Sequence, residues 1–293
     1  MLYGLLGGIL WALDTVILSM ALAPFDLIWL APAVATFLHD TFSALYLWLL
    51  MLIREDTKAM KALFRRRQSL WLVAAGLLGG PIGMCGYVFA ISTLGPGLTA
   101  VLSCLYPALG ALCARLFLHD SFTLRQGIGL LISLLGVGLL SWGGTGTIPN
   151  LPLGLFWVSL CILGWGLEGV VAQKGMKDEL VSSQEALTIR QSTSALVFGL
   201  VLMPLLNGWP LCLEIAASFS IWYLAGAALA GTLSYLNYYK AIHLIGTAKA
   251  QPLNITYAAW ALVFAFIFQG AVPGLFQIVC AIMIVGGAIY SAS

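Results

Sequence analysis

The chain has 293 residues, of which 61% are hydrophobic and 8% are charged, and its formal net charge is +2. Soluble domains carry roughly 25% charged residues, so this composition excludes a domain that folds in water and favours one that folds in a lipid bilayer. The small net charge gives no reason to expect a nucleic-acid partner.

Apolar runs long enough to cross a bilayer recur along the whole chain. A membrane-spanning helix needs about 20 apolar residues, and backbone groups in lipid must form hydrogen bonds within their own segment, which requires helices. The sequence predicts ten such helices, at residues 2–23, 29–53, 70–92, 97–118, 124–142, 152–172, 184–206, 219–241, 248–269 and 273–291. The first run follows no basic segment and precedes no cleavage site, so it is interpreted as a membrane helix and not as a signal peptide.

The basic residues fall in alternate connections between the predicted helices. The connections after the first, third, fifth, seventh and ninth helices contain no Lys or Arg. The other connections contain or adjoin Arg54, Lys58, Lys61, Arg65, Arg66, Arg67, Arg115, Arg125, Lys174, Lys177, Lys240 and Lys249. The positive-inside rule then predicts that both termini lie in the cytoplasm.

The two halves of the chain repeat each other. Ser-Ala-Leu occurs at 43–45 and again at 194–196, an offset of 194 − 43 = 151, and the same offset relates Gly95 to Gly246. Five helices per repeat is an odd number, so the repeats should cross the membrane in opposite directions. Such inverted repeats, with a site near the midplane, are typical of secondary transporters. The predicted fold is an all-α membrane protein of ten transmembrane helices in two inverted five-helix repeats, at 1–143 and 152–293.

Two short segments place a tryptophan and a carboxylate on one helix face. Trp11 and Asp14 are three residues apart, as are Trp165 and Glu168, and residues at this spacing are neighbours on a helix. A carboxylate inside a membrane helix is by default a functional-site hypothesis. An aromatic face beside it suits a desolvated organic cation. We therefore predict a central cation site built on these two segments.

For each of these two acids, a structural role remains an alternative to a role in ligand binding. Gly166 and Gly169 flank Glu168 and would leave it little covered, which favours a role in ligand binding. Asp14 could instead be satisfied by Thr15 and a nearby asparagine.

Four polar residues occupy equivalent positions in the two repeats. His39 and Asp40 lie in the second predicted helix, and Arg190 and Gln191 lie in the seventh (39 + 151 = 190). Buried charges persist only when they are paired. Two interpretations remain open: an ion-pair network that locks the helices together, or a gate or proton relay that exchanges partners between states.

Further aromatic and polar side chains fall at the depth of the Trp–acid pairs. The candidates for substrate binding among them are Tyr87, Ser103, Tyr106, Tyr235, Tyr238, Asn254, Tyr257 and Trp260. Helix packing remains an alternative for each ring singly, whereas the set favours an aromatic cage. Pro107 and Pro252 interrupt the fourth and ninth predicted helices, and such breaks in repeated helices often line a transport pathway.

Neither a metal site nor a cofactor is predicted. The six cysteines form no CxxC pair and no cluster with histidine. No GxxxxGK[ST] phosphate-binding motif occurs. Transport would therefore draw on the membrane potential, a proton gradient or the substrate gradient.

The repeats, and the stretch 118–141 with Gln126, Gly127, Gly136 and Gly138, resemble the drug/metabolite transporter superfamily of the EamA type. A narrower resemblance is to the Lic-type choline permeases of bacteria. It rests on His39-Asp40, Gly80-Pro81-Ile82-Gly83-Met84, Ser103, Tyr106-Pro107, Trp165-Gly166, Glu168, Glu185-Ala186-Leu187, Ile189-Arg190-Gln191, Ser234-Tyr235-Leu236, Tyr238-Tyr239, Asn254, Tyr257 and Trp260.

That resemblance implies an aromatic box for a trimethylammonium group, formed by Trp11, Trp165, Tyr238 and Trp260, with Glu168 supplying negative charge. It also implies the inner membrane of a bacterium. Asp14 departs from the family pattern, in which this position is uncharged. A second carboxylate would admit a more polar or more highly charged amine, or would titrate as a coupling group.

The expected function is secondary import of choline or a related quaternary amine by alternating access, with protons as one candidate coupling ion. An exporter of amino acids or other metabolites is the alternative, and Arg190 is the intramembrane cation it would need for a substrate carboxylate. A membrane enzyme would have to use His39 and Asp40, and no HExxH motif or serine nucleophile constellation accompanies them.

Overall fold

The structure, a computed structural model, describes residues 1–25, 29–54, 67–141, 148–177 and 181–293. All regular elements within these ranges are helices. In chain order they are α1 (Leu2–Leu22), α2 (Leu30–Ile53), α3 (Gln68–Leu94), α4 (Pro96–Leu118), α5 (Leu124–Ser141), α6 (Leu151–Gly175), α7 (Ser183–Leu205), α8 (Trp209–Ala217), α9 (Ser220–Ile245), α10 (Thr247–Gln269) and α11 (Leu275–Ala292). The predicted loop residues Lys58, Lys61, Arg65 and Arg66, and the predicted repeat boundary at 143, lie outside the described residues.

The prediction of an all-α membrane protein with ten spanning helices is confirmed. Among the described residues, nine helices are long and apolar enough to cross a membrane, and α9 completes the ten when it is taken with the short helix α8. We expected a loop where α8 lies. The chain bends by 98° between α8 and α9, because Ser218 has an extended backbone that ends α8.

The two halves share an unusual backbone conformation at the predicted offset. Gly95 has φ 81° and ψ 160°, and Gly246 has φ 77° and ψ 162°. Each lies directly before a helix, α4 or α10, and only glycine adopts this region without strain. Each of these helices is then interrupted for two residues directly before a tyrosine, which is Tyr106 in α4 and Tyr257 in α10. The repeat therefore extends from residue identities to backbone geometry.

Polar contacts join several helix ends at one end of the bundle. The backbone N–H of Thr247, at the start of α10, donates to Gln173 near the end of α6 over 2.7 Å. Near the end of α9, which directly precedes α10, the Lys240 ammonium lies 4.2 Å from the centre of the Tyr3 ring in the first turn of α1. The first helix of the first half therefore begins at this end, whereas the first helix of the second half ends here.

Two further cations lie at the same end of the bundle. Lys174, next to Gln173, lies 4.1 Å from the centre of the Trp71 ring near the start of α3. Arg54, at the end of α2, donates to Gln184 near the start of α7 over 2.8 Å. We name this end the basic face after Arg54, Lys174 and Lys240.

Candidate functional site

A central cavity lies between α1, α4, α6, α9 and α10. It is lined by Trp11, Tyr106, Trp165, Glu168, Ser234, Tyr235, Tyr238, Asn254 and Tyr257. All of these except Ser234 are among the predicted substrate-binding residues. The structure thus brings together rings and polar groups from both halves of the chain around one carboxylate.

The other four predicted substrate-binding residues lie elsewhere. Asp14 lines a second cavity with His39 and Asp40. Tyr87 lies behind Trp165, with 5.2 Å between the ring centres. Ser103 is buried and donates to a backbone carbonyl of its own helix, and Trp260 lines an apolar groove between α10 and α11.

The Trp165 ring is held in one orientation by its neighbours. Its indole N–H donates to the backbone carbonyl of Gly79 over 3.2 Å, and Tyr106 meets it edge to face with ring centres 5.8 Å apart. Gly79 belongs to a π-helical segment of α3, Leu78–Met84, which contains Pro81. Segments of this kind are frequent at functional sites because they re-aim backbone and side-chain groups.

Arg190 lies at the centre of a buried ion-pair network. Its Nε donates to Glu168 over 2.8 Å, its Nη1 to Asp40 over 3.5 Å, and its Nη2 to the Tyr235 hydroxyl over 3.1 Å. The guanidinium carbon also lies 4.6 Å from the centre of the Tyr235 ring. Arg190 is 2% exposed, and it is the described cation that neutralises these buried acids.

This network corrects our expectation that Glu168 is little covered. Besides the Arg190 contact, Glu168 accepts a hydrogen bond from the Tyr239 hydroxyl over 3.1 Å, and it is 4% exposed. An unpaired carboxylate at this depth would be costly, so the fold supplies a guanidinium and a phenol. Glu168 is nevertheless among the residues that line the central cavity. Of the two interpretations for His39, Asp40 and Arg190, the structure shows the network, and a gating role remains a prediction.

Three partners in the network were missing from the predicted site residues. Ser194 donates to Asp40 over 2.5 Å, and Ser43 accepts from Gln191 over 2.8 Å. These two serines are the first residues of the repeated Ser-Ala-Leu triplets, so the repeat itself was the signal that could have found them. The third partner is Tyr239, whereas the predicted site residues contain its neighbour Tyr238.

Three carboxylates and one guanidinium meet in this region. Asp14, Asp40 and Glu168 are 3%, 4% and 4% exposed, and Arg190 is the buried cation among them. With all three acids ionised the net charge is −3 + 1 = −2 when His39 is neutral and −1 when His39 is protonated. A buried cluster with this charge attracts cations and repels anions.

The described residues contain no group of three or more His, Cys, Asp or Glu side chains that could hold a metal ion. The cysteines are free, and most of them are buried.

Gly79 offers a test of how tightly the carboxylate is packed. A Cβ atom added to Gly79 would lie 1.9 Å from Glu168 Oε2, whereas one added to Gly226 in α9 would meet nothing within 4 Å. We expect Gly79→Ala to displace the carboxylate and to weaken ligand binding in the central cavity of the purified protein by about tenfold or more, the cost of misplacing a polar group at a site. Gly226→Ala should leave binding unchanged, since alanine is favoured in helices. Equal binding by the two variants would show that the position of Glu168 does not matter.

Comparison with known proteins agrees with this architecture. The EamA-like transporter family matches residues 1–142 and 152–293. Protein LicB of Haemophilus influenzae is 30% identical over 263 residues, which are 89% of this chain and 86% of LicB. The uncharacterized transporter YdfC of Bacillus subtilis is 24% identical over 217 residues, which are 72% of this chain and 69% of that protein. A crystal structure with 19% identity has the same fold, with a TM-score of 0.74 and coverage of 99% of this chain and 94% of that one. This chain is therefore a multi-pass membrane protein that belongs to the EamA-like transporter family.

Proposed function

We propose that the protein is a secondary transporter that imports choline or a related quaternary amine through the central cavity by alternating access. The observation that carries the proposal is the composition of that cavity, which Trp11, Trp165 and Tyr238 line together with Glu168. A quaternary ammonium group donates no N–H hydrogen bond, so aromatic faces and a nearby negative charge are what recognise it. Tyr106, Tyr235, Asn254 and Tyr257 complete the lining.

In this proposal the aromatic box consists of three of the four rings that the family resemblance implies. Trp11, Trp165 and Tyr238 line the central cavity. Trp260 lines the groove between α10 and α11, so we leave it outside the box.

The charge of the site supports a cationic substrate. The buried cluster carries a net charge of −2 when His39 is neutral, and an entering monovalent cation reduces this negative charge. An inside-negative membrane potential adds about 2.3 kcal/mol per 100 mV for each positive charge that enters. Import of a cation can therefore proceed without ATP, and protons remain a candidate coupling ion.

The proposed topology has both termini in the cytoplasm of a bacterium, with the protein in the inner membrane. The repeats, at 1–143 and 152–293, would run in opposite directions. Two observations support this orientation: α1 begins at the basic face while α6 ends there, and basic residues favour the cytoplasmic side.

Export of amino acids or other metabolites is less well supported. A substrate carboxylate would need a cation in the cavity, and Arg190 is already engaged by Glu168 and Asp40. Catalysis by His39 and Asp40 is likewise unsupported, because their polar contacts are with Asp14, Ser194 and Arg190, which form an ion network without a nucleophile aimed at a substrate.

Uptake of radiolabelled choline into proteoliposomes with an inside-negative potential tests the proposal. We expect saturable uptake that excess tetramethylammonium inhibits, since the ring faces recognise the methylated ammonium group. Betaine and aromatic amino acids should inhibit less, because their carboxylates meet the negative cluster. Accumulation of amino acids without accumulation of choline would refute the choice of substrate.

Removal of one ring measures the aromatic contribution. Trp165→Ala should weaken choline binding by about 1–2 kcal/mol, which is about tenfold, because it removes a desolvated cation–π contact. Trp222→Ala is the control, since Trp222 is 71% exposed on the outer surface of the bundle. If the two variants bind choline equally well, Trp165 is not part of the site.

A further inference from the structure

A second cavity lies next to the central one. Asp14, Leu18, His39 and Met84 are among its lining residues. It shares Trp11 and Tyr235 with the central cavity, and the two rings meet edge to face with centres 5.1 Å apart. This ring pair is therefore a partition between the two cavities.

The second cavity lies on the side of the partition that is remote from the basic face. Helix α1 begins at the basic face, and Asp14 and Leu18 lie in its second half. Helix α2 ends at the basic face, and His39 lies in its first half. The central cavity occupies the opposite side, because Glu168 and Tyr238 lie in the halves of α6 and α9 that end at the basic face. We name the second cavity the outer cavity.

Two buried polar atoms of the outer cavity have no hydrogen-bond partner within the part of the chain that the structure describes. They are Oδ1 of Asp14 and Nε2 of His39, in side chains that are 3% and 6% exposed, and the two atoms lie 3.4 Å apart. The other ring nitrogen of His39, Nδ1, lies 3.2 Å from Asp40. When a neutral His39 donates from Nδ1 to Asp40, its Nε2 lone pair faces the Asp14 oxygen. Two acceptors then oppose each other, so a positive charge is favourable here, either as a proton on Nε2 or as a cation against the Asp14 carboxylate.

Among the carboxylates of this region, Asp14 remains available to a ligand, as the charged groups around it show. From α2 it faces His39 and Asp40, and from α7 it faces Arg190, whose guanidinium is already paired with Asp40 and Glu168. Helix α3 contributes the apolar Met84 and α9 the ring of Tyr235. Asp14 therefore has no guanidinium or ammonium partner among the described residues.

We infer that the outer cavity is a second subsite for organic monocations, in which Asp14 supplies the charge and from which the cation reaches the central cavity between Trp11 and Tyr235. The Trp11 and Tyr235 rings provide aromatic surface to the cation in both cavities. A proton on His39 Nε2 neutralises the same Asp14 carboxylate, so the proton and the cation compete for that charge. This inference rests on the proposed transport of a quaternary amine.

Chemical labelling at Thr15 tests this subsite. Thr15 is exposed and lines the outer cavity beside Asp14. Thr15→Cys is treated with a cationic thiol reagent, (2-(trimethylammonium)ethyl) methanethiosulfonate, and with an uncharged one, methyl methanethiosulfonate. The protein without this substitution reports the background from the native cysteines. Asp14→Asn should slow the cationic reaction by about tenfold or more and leave the uncharged reaction unchanged, and Asp14→Glu should restore the difference between the reagents.

Protection by tetramethylammonium separates the outer subsite from the central one. It should slow labelling of Thr15→Cys, and it should do so equally in a Trp165→Ala background, where the central site is impaired. Loss of protection in that background would assign the effect to the central cavity and overturn the inference. So would equal reactivity of the two reagents in the presence of Asp14. The assay needs no transport, so a protein that fails to take up choline but retains this protection would refute only the proposed function.

Discussion

Replacement of Arg190 by methionine is expected to destabilise the folded protein by about 3–5 kcal/mol, the largest single effect that the structure predicts. The substitution keeps an unbranched side chain but leaves Glu168 and Asp40 without their cation, in a region where both are 4% exposed. Burial makes such uncompensated charges costly, whereas a pair exposed to solvent would be screened by water. The helix positions that meet at Arg190 come from α2, α6 and α7, so both halves of the bundle are affected.

Thermal unfolding of the purified protein in detergent measures this effect. Arg125→Met is the matched control, because Arg125 is exposed and contacts Tyr290 and Ser293 at the surface. The double variant Arg190→Met/Glu168→Gln should recover part of the loss, since it removes one of the two stranded charges. If Arg190→Met and Arg125→Met unfold at the same temperature, the buried network does not hold the helices together.

Replacement of Glu168 by glutamine should weaken choline binding by about 2–3 kcal/mol, or about a hundredfold. The amide keeps the shape of the carboxyl group and removes the negative charge from the central cavity. Glu214→Gln is the control, because Glu214 is an exposed glutamate in α8, remote from both cavities. Equilibrium binding of radiolabelled choline to the purified variants provides the measurement.

The pairing with Arg190 requires a second variant, because Glu168→Gln also removes one of the two acids that pair with the guanidinium. The double variant Glu168→Gln/Arg190→Gln removes both of these charges and leaves Asp40 unpaired, so its folding should recover relative to Arg190→Gln alone. Choline binding should remain weak if the carboxylate contacts the substrate. Recovery of binding together with folding would show that Glu168 acts only through the ion pair.

The fold can be predicted largely from local features of the sequence. Runs of apolar residues set the number and approximate bounds of the helices, because lipid leaves the backbone no alternative to internal hydrogen bonds. The 151-residue offset between Gly95 and Gly246 predicted a repeat, and the two backbone conformations agree. The short helix α8 was missed because its 9 residues are too few to cross a bilayer, so they were assigned to the connection before the predicted helix at 219–241.

The candidate site was foreseen in its residue types and only partly in its geometry. Aromatic and ionisable residues inside spanning helices are few, and their cost in lipid marks them out. Most of the chosen residues do line the central cavity, as Trp165 and Glu168 show. Trp260 shows the limit, since its place in the ninth predicted span suggested a box and its helix presents it to the groove with α11.

Composition, the length of the apolar runs and the internal offset were enough to predict that this protein folds in lipid, where its spanning helices lie, that its halves repeat, and which few residues can carry function. The partners of those residues became known only from the packed helices: Arg190 pairs with Glu168 and Asp40, and Asp14 lies beside His39 in the outer cavity. Helices that are apolar on every side carry no periodic signal for their rotation, so their sequences do not indicate which side chains face each other. Their rotation is set by close packing between helices distant in sequence, and a turn of one helix about its axis is enough to give a buried charge a different partner.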